Sequence, residues 1–161
     1  MEFPTTMNFC PICDAEVEIP ADLFGTMAEM PKLVSRSFKE PRSIAAGAGW
    51  SPQEVAAHLA DVEVVEGWRV RQVLTKDEPV LEPFDQDVWA GALWYGDREL
   101  ATSLATFGAN RQSNLELLRK AGEAGLKRRF RHPEFGNREL GVLIRHIADH
   151  DVAHLRQVRG E

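Results

Sequence analysis

Cysteine is scarce in this 161-residue sequence. Two residues, Cys10 and Cys13, do not make the disulfide framework of a small secreted domain. Long apolar runs are missing as well: none approaches the roughly 18 residues of a membrane span. The N-terminus lacks the basic region, apolar run and cleavage site of a signal peptide, so the expectation is a cytoplasmic protein with no membrane partner. Positive charge is in deficit. Nineteen Lys and Arg against 25 Asp and Glu leave a formal charge of -6 and a pI near 5.4, which argues against a general nucleic-acid binder. What remains, 43% hydrophobic and 27% charged residues, is ordinary for a soluble globular domain. The length suffices for one core without covalent staples.

Residues 1–20 read as an extension, with residues 21–161 as the domain proper. Asn8-Phe-Cys-Pro-Ile-Cys-Asp-Ala-Glu-Val-Glu-Ile-Pro20 resembles the first half of a small zinc ribbon, as in the amino-group carrier protein of lysine biosynthesis. A structural zinc site needs four ligands, and no second cysteine pair follows. The preferred reading is an extension without its own metal; zinc shared between two chains and a redox dithiol are the alternatives.

Four stretches carry helical periodicity. In residues 21–40, Leu23, Phe24, Met27, Met30, Leu33 and Phe38 recur at three- and four-residue spacings; Pro31 either kinks this helix or marks its start. Ser51-Pro-Gln-Glu54 is a capping box with proline at the first helical position. The helix it opens runs to about Thr75, with Val55, Leu59, Val62 and Val73 on one face and His58 on its flank. Residues 77–97 form a long connection with a short helical turn near Asp87, and Trp89, Trp94 and Tyr95 either line a pocket mouth or tack the loop to the bundle. A third long helix is expected from Asp97 to about Lys120. The basic run Lys127-Arg-Arg-Phe-Arg-His132 reads as a solvated connection. The last helix is expected after Asn137, continuing to about Val158. Four such helices suggest an all-α four-helix bundle.

The last helix carries three of the five histidines, His146, His150 and His154, at four-residue spacing on one ridge. Its core face is set by Leu140, Ile144, Ile147 and Val158. At 100° per residue His154 lies roughly 40° from that face, His150 roughly 80° and His146 roughly 120°. The first two point inward and His146 tends to solvent. With His58 from a facing helix they supply three neutral nitrogens, a set that suits Zn, Ni or Fe(II) and leaves coordination positions open. Asp151 lies near the core direction and needs a partner. It either orients a ligating imidazole, as His146 could also do from outside the ligand set, or pairs with an arginine such as Arg69. Asp61 and Glu63 follow His58, but neither is clearly aimed at the site.

Trp50-Ser-Pro-Gln-Glu-Val-Ala-Ala-His58-Leu-Ala-Asp-Val-Glu63, Pro83-Phe-Asp-Gln-Asp-Val-Trp89 and His150-Asp-Val-Ala-His154-Leu-Arg-Gln157 together resemble the DinB-like (YfiT-like) four-helix metalloproteins, with order and spacing fitting across residues 45–158. The resemblance implies an up-down-down-up bundle, a homodimer, and a divalent ion on His58, His150 and His154, with His146 not required. Some members are S-transferases using a low-molecular-weight thiol, mycothiol or bacillithiol; others are described as metal-dependent hydrolases. The expected function is therefore metal-dependent activation of a thiol or water for transfer to a small-molecule substrate. A non-catalytic metal-binding or stress-associated module is the alternative.

Overall fold

The computed structural model describes residues 22–39 and 49–160; the Cys10/Cys13 knuckle and the 1–20 extension lie outside the described residues. The elements in chain order are α1 (Leu23–Ser37), α2 (Pro52–Thr75), a short α3 (Gln86–Ala92), a single 3₁₀ turn (Tyr95–Asp97), α4 (Leu100–Leu126), β1 (Arg129–His132), β2 (Gly136–Glu139) and α5 (Leu140–Arg159). No described helix is long and apolar enough to cross a membrane.

Local chemistry explains the start of α2. Ser51 Oγ accepts from the Glu54 amide at 3.3 Å while the Glu54 carboxylate accepts from the Ser51 amide at 2.7 Å, with Pro52 at the first helical position. In α1, Asp22 caps the N-terminus through the Gly25 amide, and Pro31 lies inside the helix rather than at its start. Proline has no N–H for the carbonyl four residues back. That carbonyl, on Met27, instead accepts from Arg111 Nη1 at 3.1 Å.

Helix directions follow from which residues meet. Leu23 and Met27 of α1 share a core with Val70 and Val73 of α2 and with Leu140 and Ile144 of α5. Met30 and Val34 share the other with Val55, Leu59, Leu155 and Val158. So α1 and α5 run together and α2 runs against both. Along the α2–α4 seam Asp61 pairs with Arg98, Asn114 sits against Gly67, and Leu74 reaches Gly125, so α2 and α4 are parallel. The bundle is up-down-down-up, as the resemblance implies. Parallel neighbours need a long link, which residues 76–99 provide. Close approach requires glycine at position 67: a Cβ there would lie 2.6 Å from the Asn114 side-chain oxygen. Burial of each core Leu, Ile or Val contributes roughly 1.5–3 kcal/mol.

Three boundaries differ from the sequence expectations. The third bundle helix, α4, starts at Leu100 rather than Asp97, and runs to Leu126 through a non-helical Gly122. The basic run is a strand, not a solvated link: Arg129 pairs opposite Glu139 and His132 opposite Gly136 in an antiparallel hairpin. Its arginines face out while Phe130 and His132 face in. The left-handed φ of 68° at Gly136 turns the chain into β2. The hairpin delays α5 to Leu140, after Glu139 instead of Asn137. It also holds the preceding loop, since Leu81 N donates to Arg131 O and Arg131 N to Pro79 O.

Candidate metal centre

α2 and α5 are antiparallel, which brings the early turns of one beside the late turns of the other. His58 therefore meets His150 and His154, all three buried. His58 Nε2 lies 2.9 Å from His150 Nε2, and His154 Nε2 lies 3.1 Å from the same atom. One ring nitrogen from each residue falls within 4.8 Å of the other two. Trp50, just before the α2 cap, packs edge-on against His58 at 4.7 Å and stacks on His154 at 6.5 Å.

Burial, then the neighbouring His154, pushes His58 down to about 3. Burial, then the surrounding histidines and Arg111, holds His150 well below the usual histidine range. Burial lowers His154 too, partly opposed by Gln157. All three are thus neutral near pH 7, the form in which imidazole binds a cation. His154 Nδ1 lies 2.7 Å from Gln157 Oε1; with Nδ1 as the donor in that contact, Nε2 carries the lone pair and turns it to the cluster. The outer nitrogens of His58 and His150 have no hydrogen-bond partner. Three neutral imidazoles whose ring nitrogens converge in a buried site fit a divalent ion. At Zn–N distances near 2.0–2.1 Å a tetrahedral edge is about 3.3 Å, a few tenths of an ångström longer than the His58–His150 and His150–His154 separations of 2.9 and 3.1 Å.

The residues expected around these ligands behave differently. Asp151 does not orient an imidazole, nor does it meet Arg69. Its oxygens close on Arg111 at 2.6 and 3.1 Å, because its position on α5 faces α4 and not α2. Burial pushes its carboxyl up to about 6 against the pull of Arg111. Burial alone would lower the Arg111 guanidinium, but Asp151 and Glu63 outweigh it and raise it; the two-pronged geometry makes the ion pair the state we assign. Arg69 pairs with Glu66 at 2.6 Å and donates to the Glu82 carbonyl. Asp61 holds Arg98 with both oxygens at 2.8 Å, and Glu63 holds Arg111 and Asn114, so neither acts on the histidines.

His146 is half-buried rather than solvent-facing. The hairpin covers its flank, with Phe135 at 6.4 Å. Burial, then Arg69 and His132, pushes it down to about 4. It lines a cavity of about 370 Å³ that also touches His58 and His150. The walls of this cavity are α2, α5, the hairpin and residues 83–87. Of the two readings of Trp89, Trp94 and Tyr95, the pocket mouth does not hold, since none lines the cavity: Tyr95 is buried beside His58, Trp94 is exposed, and Trp89 packs on Phe84. Among the cavity residues that sequence reasoning missed are Glu66, Arg69 and His132. Period-two alternation in Arg129-Phe-Arg-His132 was the signal for the last of these.

A family model described as the DinB superfamily matches residues 18–158. A protein of Oceanobacillus iheyensis is 31% identical over 110 residues, covering 68% of this chain and 63% of its own length. YfiT of Bacillus subtilis is 27% identical over 115 residues, covering 68% and 64%. Both names assign the proteins provisionally to the metal-dependent hydrolases, and this chain spans less than two thirds of either relative. The solved structure of YfiT, described as having an unusual four-helix bundle topology, aligns with a TM-score of 0.79 at 20% identity, covering 91% of this chain and 90% of that one. The shared fold and the match across residues 18–158 lead to one assignment: the chain belongs to the DinB superfamily.

Proposed function

We propose that the protein is a metal-dependent hydrolase of a small molecule, with His58, His150 and His154 as ligands of a divalent transition metal, Zn, Ni or Fe(II). The observation that carries this reading is the cavity. His58 and His150 form part of its wall, so a small molecule can approach the ligand set from that side, as a reactive site requires. An ion held there would acidify a bound water or thiol enough to make it a nucleophile near neutral pH. The chain supplies the rest: Trp50 shields the rings, Gln157 offers an acceptor that would hold the His154 proton on Nδ1, and the cavity aligns the substrate.

Water is favoured over a low-molecular-weight thiol by charge. Asp85, Asp87 and Glu134 line the cavity, which disfavours an anionic thiol. The decisive experiment is metal analysis of protein purified without a histidine tag, followed by hydrolysis assays on ester and amide panels with each metal, with and without added thiol. Turnover that needs metal but no thiol is expected. Turnover only with thiol would replace hydrolysis by thiol transfer, and bound metal without turnover would favour a non-catalytic metal-binding module.

A further inference from the structure

The metal ligands leave one feature of the cavity without a role. Glu66 lines the α2 wall, yet is only 5% exposed. Arg69 holds its Oε1 at 2.6 Å, while Oε2 has no hydrogen-bond partner and is shielded from solvent. Burial is the largest influence on this carboxyl and raises it, against the pull of Arg69. A buried carboxylate oxygen with nothing donating to it costs free energy, so a donor brought alongside gains more than it would at the surface. A second void touching Glu66, about 10 Å³ and bordered by Glu63, Arg111 and Leu115, has room for one water at most. Anything larger must come from the cavity.

The rest of the lining agrees in sign. Asp85, Asp87 and Glu134 are exposed at its edge. The one full cation among the described lining residues, Arg69, is already engaged by Glu66, by the Glu82 carbonyl and over the Phe84 ring. Phe84, Phe135, Val62 and Ile147 supply apolar surface. Such a lining repels carboxylates and phosphates and accommodates an ammonium beside aromatic faces.

We propose that this cavity binds a small organic cation, a primary amine on a short apolar body, with its ammonium on Glu66 and its body directed toward His58 and His150. Those ends are matched in scale: His58 and Glu66 are eight residues apart on α2, about 12 Å between Cα atoms, and the cavity of about 370 Å³ that both line has the volume for one ring and a short tail. As a statement of substrate class, an amine-bearing ester or amide, it rests on the hydrolase reading; the binding itself does not.

The test uses benzylamine, benzyl alcohol and benzoate, equal in size and different in charge, titrated by calorimetry into chelator-treated full-length protein at neutral pH and low salt. Benzylamine is expected to bind about tenfold or more tighter than benzyl alcohol, with benzoate weakest. Glu66→Gln should remove about tenfold from benzylamine and little from the alcohol. Equal affinities, a preference for benzoate, or an unchanged Glu66→Gln would each overturn the proposal. Should Glu66→Gln fail to fold, Asp85→Asn with Asp87→Asn, at exposed positions, must weaken benzylamine severalfold; no change there overturns it as well. Amine binding without metal-dependent turnover would leave this inference standing and sink the hydrolase, whereas turnover with no amine preference would do the reverse.

Discussion

Two polar clusters are buried between the bundle helices, and α2 and α5 contribute to both. In one, Arg111 of α4 donates to Glu63 of α2, to both oxygens of Asp151 of α5 and to the Met27 carbonyl of α1. Asn114 completes Glu63. Two carboxylates share one cation, each hydrogen-bonded to it, and all four bundle helices are tied to that one guanidinium. In the other, three neutral imidazoles turn nitrogens on each other, and the outer nitrogens of His58 and His150 have no partner. Asp151 sits between His150 and His154 in sequence yet belongs wholly to the first cluster. The closed cluster specifies how the helices assemble; the open one, bordering a cavity, is built to take something in.

The largest effect should come from breaking the closed cluster. Arg111→Ala strands Glu63 and Asp151 as buried unpaired carboxylates, so urea unfolding should show a loss of about 3–5 kcal/mol. A loss below 1 kcal/mol would mean that the cluster is not what holds the helices in register.

Next is the open cluster. His58→Ala, His150→Ala and His154→Ala should each strip most of the metal, and with it the ligand-linked stabilisation, about 2.7 kcal/mol when metal stands at a hundred times its dissociation constant. His146→Ala should keep most of both. Metal stoichiometry and melting with and without chelator decide it. If His146→Ala lost metal while His58→Ala kept it, the site would be a ridge on α5 alone.

Acid separates the two clusters by sign. His58 is pushed from 6.5 down to about 3, so its neutral burial contributes stability that is complete above pH 6.5 and fades as pH falls toward 3. His150 and His154 are lowered too and act in the same direction. Asp151, raised from 3.8 to about 6, works oppositely: between those values the native state takes up the proton more readily, so acidification favours folding. Three histidines outweigh one aspartate. Metal-free protein should lose stability between pH 6.5 and 5, and His58→Ala should flatten that slope. A slope of opposite sign would mean that the raised carboxyls, Asp151 and Glu66, dominate.

Much of this was legible before the fold. The Ser51–Glu54 box and the 3.6-residue stripes mark α1, α2 and α5, and the i,i+4 spacing with a helical wheel separates His150 and His154 from His146. The wheel misplaced only His146 in burial, because a wheel knows its own helix and not the hairpin lying against it. That hairpin went unread because four residues of alternation in a basic run are too short to outweigh their charge. The Arg111 cluster is tertiary and has no local motif. One trace existed: Arg111 stands four residues from both Phe107 and Leu115, on an apolar stripe where an unpaired arginine would be costly.

The smallest of these effects tests how the open cluster is held. Gln157 Oε1 lies 2.7 Å from His154 Nδ1; if that nitrogen carries the proton, Nε2 presents its lone pair to the cluster. Nothing comparable fixes His58 or His150, whose outer nitrogens are unmatched. Gln157→Leu keeps the apolar bulk and removes the acceptor, so His154 would sample both tautomers. Metal affinity should fall by about 10–100-fold, the usual effect of losing a hydrogen bond behind a ligating histidine. Metal-free stability should change by no more than about 1.5 kcal/mol, the net worth of one such bond. Competition with a chromophoric chelator measures the first, and urea unfolding in chelator the second. A variant that lost stability and kept its affinity would place Gln157 with the closed cluster, as packing, and leave the histidine tautomer to be set by the ion itself.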